Sequence, residues 1–123
     1  MTKSQSVQNL YIQSTNLLSE IETEMKRIGY WSQEPLQEDA YNFQQAFAMD
    51  TMTFAQWLQF ILFPRVQQII KEKGDFPSES MTGVQAMREF DGDEKSTQLV
   101  ALLNEFDDLF NKRTRKYKVK KSK

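Results

Sequence analysis

The sequence predicts an all-α fold: a compact four-helix array or bundle with a long aromatic-rich loop between the first two main helices. Two observations favour it. Apolar side chains recur three and four residues apart near both ends of the chain, the spacing of one helix face. No alternation of apolar and polar residues extends beyond three positions, so no strand is expected. The 123 residues are enough for one domain with an ordinary core.

The first helix is predicted over residues 5–28, where apolar side chains such as Leu10, Ile21 and Met25 share one face. Gly29 follows as a C-terminal stop. Residues 29–52 show no sustained period and form the predicted loop, with room for a short helix near residues 39–46.

A second helix is predicted to start at Thr53, because Gln56 three residues later completes a capping box. Apolar side chains then cover nearly the whole circumference, so this helix belongs in the middle of the core. The ones expected to be buried are Phe54, Trp57, Leu58, Ile61 and Leu62. Pro64 should kink or break the helix, and the apolar rhythm resumes until Lys73 and Gly74.

Two further helices complete the predicted domain, which spans residues 5–111. A short one carries Val84, Met87 and Phe90, and the last main helix runs from about 94 to 112. Residues 112–123 form a separate basic tail, which we expect to be flexible because its like charges repel one another.

The tail gives the chain a strong charge asymmetry. It holds eight of the sixteen basic residues and no acid, whereas residues 1–111 hold all seventeen acidic residues. One hypothesis is weak, sequence-independent contact with RNA phosphates; the alternative is a solvated end without a ligand. The residues proposed for nucleic-acid contact are Lys112, Arg113, Arg115, Lys116, Lys118, Lys120 and Lys121.

The composition excludes several kinds of chemistry. Without histidine or cysteine the chain has no zinc site of the usual type, no histidine-based triad and no thiol nucleophile. The glycines are isolated, so no phosphate-binding loop is present. We therefore assign no catalytic, cofactor-binding or metal-binding residue. The longest apolar segment, residues 54–63, is too short for a membrane span, and the lack of cysteine suits a reducing cytoplasm.

Four short motifs carry a resemblance to a known family. They are Trp31 with Pro35, the run from Met49 to Met52, the run from Gln56 to Gln59, and Pro64-Arg65. Over residues 7–110 the chain resembles the YqcC-like family of small bacterial proteins, which have no assigned biochemical activity. The resemblance implies a compact four-helix array and an association by genome position with tRNA pseudouridine synthases. It implies no catalytic residue, and the basic tail lies outside the family pattern.

Five residues in and after the loop are candidates for a partner surface. Trp, Phe and Met are favoured at such surfaces, although the same residues also build ordinary cores. Asp50 can instead cap the helix start or pair with Arg65, and Arg65 can bind an anion. The candidates are Trp31, Phe47, Met49, Asp50 and Arg65.

The sequence thus favours a non-enzymatic cytosolic interaction or adaptor module. The alternative is an RNA-associated accessory protein that uses the basic tail, with a link to tRNA modification. No protein partner and no oligomeric state can be read from the residues, and no membrane association is expected.

Overall fold

A computed structural model describes the backbone of residues 2–77 and 80–122 and the side chains of residues 8–77 and 80–111. Within these ranges the chain is helical and contains no strand, so the predicted all-α class is confirmed. We number the four helices in chain order. They are α1 (Thr2–Arg27), α2 (residues 54–72), α3 (Thr82–Glu89) and α4 (Thr97–Ser122). Short 3-10 turns lie at Glu38–Tyr41, Ala46–Ala48 and Glu94–Ser96.

Helix α1 ends in the way the sequence predicts. Gly29 adopts a left-handed conformation with φ of 81°. Its N–H donates to the carbonyl of Lys26 at 3.2 Å, and the N–H of Tyr30 donates to the carbonyl of Met25 at 2.7 Å. This is a Schellman motif, which satisfies two carbonyls that the helix end leaves open.

Helix α2 begins with the predicted capping box. The Gln56 N–H donates to Thr53 Oγ1 at 3.1 Å, and the Thr53 N–H donates to Gln56 Oε1 at 2.9 Å. The helix has an α-helical Phe54–Trp57 segment, a π-helical Leu58–Leu62 segment and an α-helical Phe63–Glu72 segment.

Of the two outcomes expected at Pro64, a kink or a break, the structure excludes the break, because α2 continues through the proline. The helix widens into its π-helical segment just before the proline, and the Phe63 N–H bonds the carbonyl of Leu58, five residues back. A widened turn of this kind accommodates the proline ring and its missing N–H without ending the helix.

The core lies where the four helices meet. Helix α4 packs against α1 and α3, and α1 also contacts the Phe63–Glu72 segment of α2. Phe54, Trp57, Leu58 and Ile61 are buried, as predicted, whereas Leu62 is half-buried. The ring of Phe110 in α4 lies 5.0 Å from the ring of Phe106, edge-on, and 5.0 Å from the ring of Phe76, at a tilt.

Polar side chains of α4 fix the segment that leads into α3. Asp107 is buried, and its carboxylate accepts hydrogen bonds from the Ser80 hydroxyl and the N–H groups of Thr82 and Gly83. Asn111 pairs with both the N–H and the carbonyl of Ser80, at 2.9 and 2.8 Å. The start of α3 is therefore held against α4, next to the cavity described below.

Candidate docking site

A cavity of about 280 Å³ lies between α2, α4 and the entry to α3. Its wall is almost entirely apolar, and Arg65 contributes the charged side chain. The lining residues are Phe47, Trp57, Leu62, Arg65, Val66, Ile69, Phe76, Pro77, Ser80, Met81, Thr82, Phe106 and Phe110. A concave apolar site with few polar groups is the usual form of a binding pocket.

The loop contributes one wall of the cavity through a strained backbone. Phe47 and Ala48 are consecutive non-glycine residues with φ of 56° and 51°. The left-handed region costs an ordinary residue about 1–2 kcal/mol. The surroundings hold the conformation: Ala48 is fully buried, and the Phe47 ring packs edge-on at 4.9 Å from Trp57 and 5.8 Å from Phe54.

Asp50 has a different role from the ones the sequence suggested. Its carboxylate accepts the N–H of Gln44 at 3.0 Å and the N–H of Gln45 at 3.4 Å, so it closes the loop on itself. These hydrogen bonds, chiefly the one from Gln44, lower the pKa of Asp50 below its usual value. The expectation that Asp50 caps α2 or pairs with Arg65 is therefore wrong. Thr53 caps the helix, and the Asp50 carboxylate binds the backbone N–H groups of the loop instead.

Arg65 is left available at the cavity. It is exposed, and within the described part of the chain its guanidinium makes no ion pair and no hydrogen bond. It shares the lining of the cavity with Phe47. The Arg65 guanidinium can therefore bind the anionic group of a ligand whose apolar group occupies the cavity.

Two exposed methionines flank the site. Met81 lines the cavity and is 57 % exposed, and Met49 is 53 % exposed, with its Sδ 3.9 Å from Gln85 Nε2 of α3. Val84 and Met87 continue the exposed apolar surface along α3. Met81 was not among the residues identified from the sequence, although the three-residue steps from Met81 to Val84 and from Val84 to Met87 are a signal that could have revealed it.

Trp31 lies apart from this site. Its half-buried ring packs edge-on at 5.4 Å from Phe63, and Lys26 Nζ of α1 lies 5.5 Å from the ring centroid. Next to it, the Gln59 side chain bonds both the N–H and the carbonyl of Ser32. The structure therefore brings Phe47, Met49 and Arg65 to one region, and Trp31 anchors the start of the loop elsewhere on α2.

Two further ionisable groups, Asp107 and Tyr30, stabilise the fold. Burial raises the pKa of Asp107 above its usual value, and the hydrogen bonds from Ser80, Gly83 and Thr82 only partly oppose this effect. The Tyr30 hydroxyl donates to Asp93, which raises the pKa of Tyr30. In the described ranges no three His, Cys, Asp or Glu side chains cluster in a way that could hold a metal ion.

Two sequence-based expectations concern other parts of the chain. The proposed nucleic-acid contacts from Lys112 to Lys121 lie outside the side chains that the structure describes, so they stay a prediction. Of the helices in residues 2–77 and 80–122, none has both the length and the apolar character needed to cross a bilayer.

The fold and the site thus define a small helical protein with a mostly apolar cavity between α2, α4 and the entry to α3. Residues 13–109 match the model of the family DUF446, whose description reads "tRNA pseudouridine synthase C". This match covers most of the chain, so the protein belongs to the DUF446 family, in agreement with the YqcC-like resemblance.

Individual relatives agree with this assignment. An uncharacterised protein of Haemophilus influenzae is 28 % identical over 94 residues, which are 73 % of this chain and 89 % of that protein. The uncharacterised protein YqcC of Escherichia coli is 30 % identical over 60 residues, 49 % of this chain and 55 % of YqcC. The solution NMR structure of Escherichia coli YqcC superposes with a TM-score of 0.74 at 24 % identity, covering 82 % of this chain and 87 % of that one, and shows the same fold.

One relative is named for an activity. A protein of Pectobacterium carotovorum called tRNA pseudouridine synthase C is 30 % identical over 60 residues, 49 % of this chain. The same residues make up only 16 % of that protein. Most of the named protein therefore lies outside the match.

Proposed function

We propose that the protein is a non-enzymatic interaction module that docks a protein partner around the cavity between α2, α4 and the entry to α3. The observation that carries the proposal is a mostly apolar cavity with the exposed Met81 in its lining and a second exposed methionine, Met49, beside α3. Unbranched, polarisable methionine side chains adapt to a partner, and they are enriched at binding surfaces. The lack of histidine and cysteine in the sequence fits a role without covalent chemistry, in the cytoplasm.

A matched set of surface variants tests this proposal. Met49→Lys combined with Met81→Lys places charges on the docking surface, whereas Ile12→Lys places one at an equally exposed apolar position on α1. Tagged proteins are used to capture partners from the native cell, with and without nuclease, and each candidate is then purified and its affinity measured. We expect a partner that survives nuclease, binds the wild type and the Ile12 variant alike, and binds the double variant at least tenfold more weakly. Equal binding to all three proteins would contradict the proposal.

A second candidate function is that of an RNA-associated accessory protein. It is supported by the eight basic residues in 112–123. The Pectobacterium relative adds support, because a small module that occupies a minor part of a tRNA-modifying enzyme is suited to assist such an enzyme. The acidic net charge of residues 1–111 opposes nucleic-acid binding, so only modest affinity is expected.

Titration of fluorescent single-stranded RNA separates this function from the first. The full chain is compared with a form that ends at Asn111. If about four side chains neutralise phosphates, the log–log salt slope of the full chain should be roughly −3, and the shorter form should bind much more weakly. Equal affinities, or no dependence on salt, would leave the tail as a solvated end.

A further inference from the structure

We propose that the cavity captures the C-terminal residue of the partner, with its large apolar side chain inside the cavity and its α-carboxylate on Arg65. This inference rests on the proposed docking function and specifies the chemistry of the partner.

The size of the cavity limits its occupant to about one amino-acid residue. At about 280 Å³ it lies just below the range of ordinary small-molecule pockets, which begins near 300 Å³. The floor formed by Trp57, Val66 and Phe106 is buried and apolar, so it rewards a large aliphatic or aromatic group and offers no partner to a polar one.

The charges around the cavity favour a carboxylate as the polar group of the ligand. Residues 1–111 carry seventeen acidic and eight basic residues, so most of this surface repels an anion. Arg65 lies in the lining of the cavity and has no acidic partner among the described residues. Its planar guanidinium can donate two parallel hydrogen bonds to one carboxylate.

The closeness of Arg65 to the apolar floor of the cavity favours the C-terminus of a partner chain as the ligand. Arg65 and the apolar floor line the same small cavity, so a ligand that contacts both carries its carboxylate and its apolar group close together. A C-terminal residue carries both on one Cα. An internal anchor would need a separate acidic residue, whose position on a helix is about 5–6 Å away from the anchor.

The strained loop supplies a rigid wall for this ligand. Phe47 is held in its left-handed conformation with its ring on Trp57, and the ring faces the cavity as part of its lining. Non-glycine residues in this conformation persist where the surroundings enforce them, which is common at ligand sites. A preformed wall lowers the ordering cost of binding.

The test uses two probes that differ only in the terminal charge, N-acetyl-phenylalanine and N-acetyl-phenylalaninamide. In a Trp31→Phe background, Trp57 in the cavity wall is the remaining tryptophan and reports binding through its fluorescence. For so small a ligand we expect a Kd of about 0.1–1 mM for the acid. The amide should bind about tenfold more weakly, since it lacks the charged hydrogen bond.

Two arginine variants decide the role of Arg65. Arg65→Gln should abolish the preference for the acid, whereas Arg88→Gln, on the exposed part of α3, should retain it. Equal binding of acid and amide to the wild type, a preference that survives Arg65→Gln, or no binding of either probe would overturn the inference. These failures leave the docking function open to its own test, because the Met49 and Met81 variants probe the surface without reference to a chain end.

Discussion

Gly83 offers a test of the α3–α4 contact in which two physical effects have opposite signs. It is the second residue of α3, and its N–H donates to Asp107 Oδ2 at 2.7 Å. A Cβ added at this position would lie 2.3 Å from Asn104 Oδ1 and 2.9 Å from Asn104 Cα. The side chain of Asn104 can rotate away, but its Cα cannot move unless α4 moves.

The magnitudes decide the expected sign for Gly83→Ala. Helix propensity alone favours alanine over glycine by about 1 kcal/mol in a helix interior, and less at a helix start. Overpacking a close contact costs about 1–3 kcal/mol. If α3 shifts to relieve the clash, its hydrogen bonds to the buried Asp107 carboxylate lengthen, and bonds to charged groups are worth about 1.5–3 kcal/mol each. We therefore expect a net loss of roughly 1–3 kcal/mol in the free energy of unfolding.

Urea denaturation followed by circular dichroism measures this loss, with Gly74→Ala as the matched control. A Cβ at Gly74 would have only the Ile69 carbonyl oxygen nearby, at 4.0 Å, so this variant should be as stable as the wild type or slightly more stable. A Gly83→Ala protein whose unfolding free energy and m-value equal those of the wild type would refute the reasoning, since it would mean that the two helices do not approach each other so closely.

Three further predictions concern stability and use the same assay. Lys73 ends α2 in a left-handed conformation with φ of 54°, so Lys73→Gly should raise the unfolding free energy by about 0.5–1 kcal/mol, whereas Lys73→Ala should not. Thr53→Ala removes the capping box and should cost about 1 kcal/mol; an unchanged midpoint would show that the cap contributes nothing. For Asp107 the pKa in the folded protein is raised, so the folded state binds more protons than the unfolded state above the ordinary pKa. The contribution of Asp107 to the free energy of unfolding is fully present below that ordinary value, near 4. It is lost as the pH rises through the raised pKa. The stability of the wild type relative to Asp107→Asn should therefore fall over this pH window, and a relative stability that does not change with pH would contradict the assignment. The exposed control Asp91→Asn keeps Asp107, so its stability relative to Asp107→Asn should fall over the same pH window as that of the wild type.

Local sequence determined much of the fold, because the signals that it uses are local. The capping box of Thr53 and Gln56 and the stop at Gly29 each depend on residues within four or five positions, so both could be predicted without knowledge of the rest of the chain. The apolar circumference after Thr53 likewise placed this helix in the core, since a helix without a polar face must be covered on most sides.

The effect of Pro64 could not be predicted in this way. A proline inside a helix either breaks it or is accommodated, and the outcome depends on packing. In this protein the Phe63–Glu72 segment packs against α1, and a π-helical turn accommodates the proline while that contact is kept.

The candidate site was predictable only in part. Of the five candidates chosen by residue type, Phe47 and Arg65 line the cavity, whereas Trp31 packs elsewhere and Asp50 was assigned the wrong partner; Met81 was missed. Composition can say which side chains are suited to a partner surface. It cannot say which of them share a cavity, because Phe47, Arg65 and Met81 come from three separate segments of the chain.

The sequence by itself therefore determined the helices, their caps and the central place of α2, all of which follow from interactions between neighbours in the chain. Only the tertiary structure decided that Trp31 lies away from Phe47, that Asp107 fixes the entry to α3, and that Arg65 stands without an acidic partner among the described residues beside an apolar cavity. The physical reason is that a cavity and an unpaired charge depend on how distant segments of the chain pack together. The local sequence around the residues that form them does not reveal that packing.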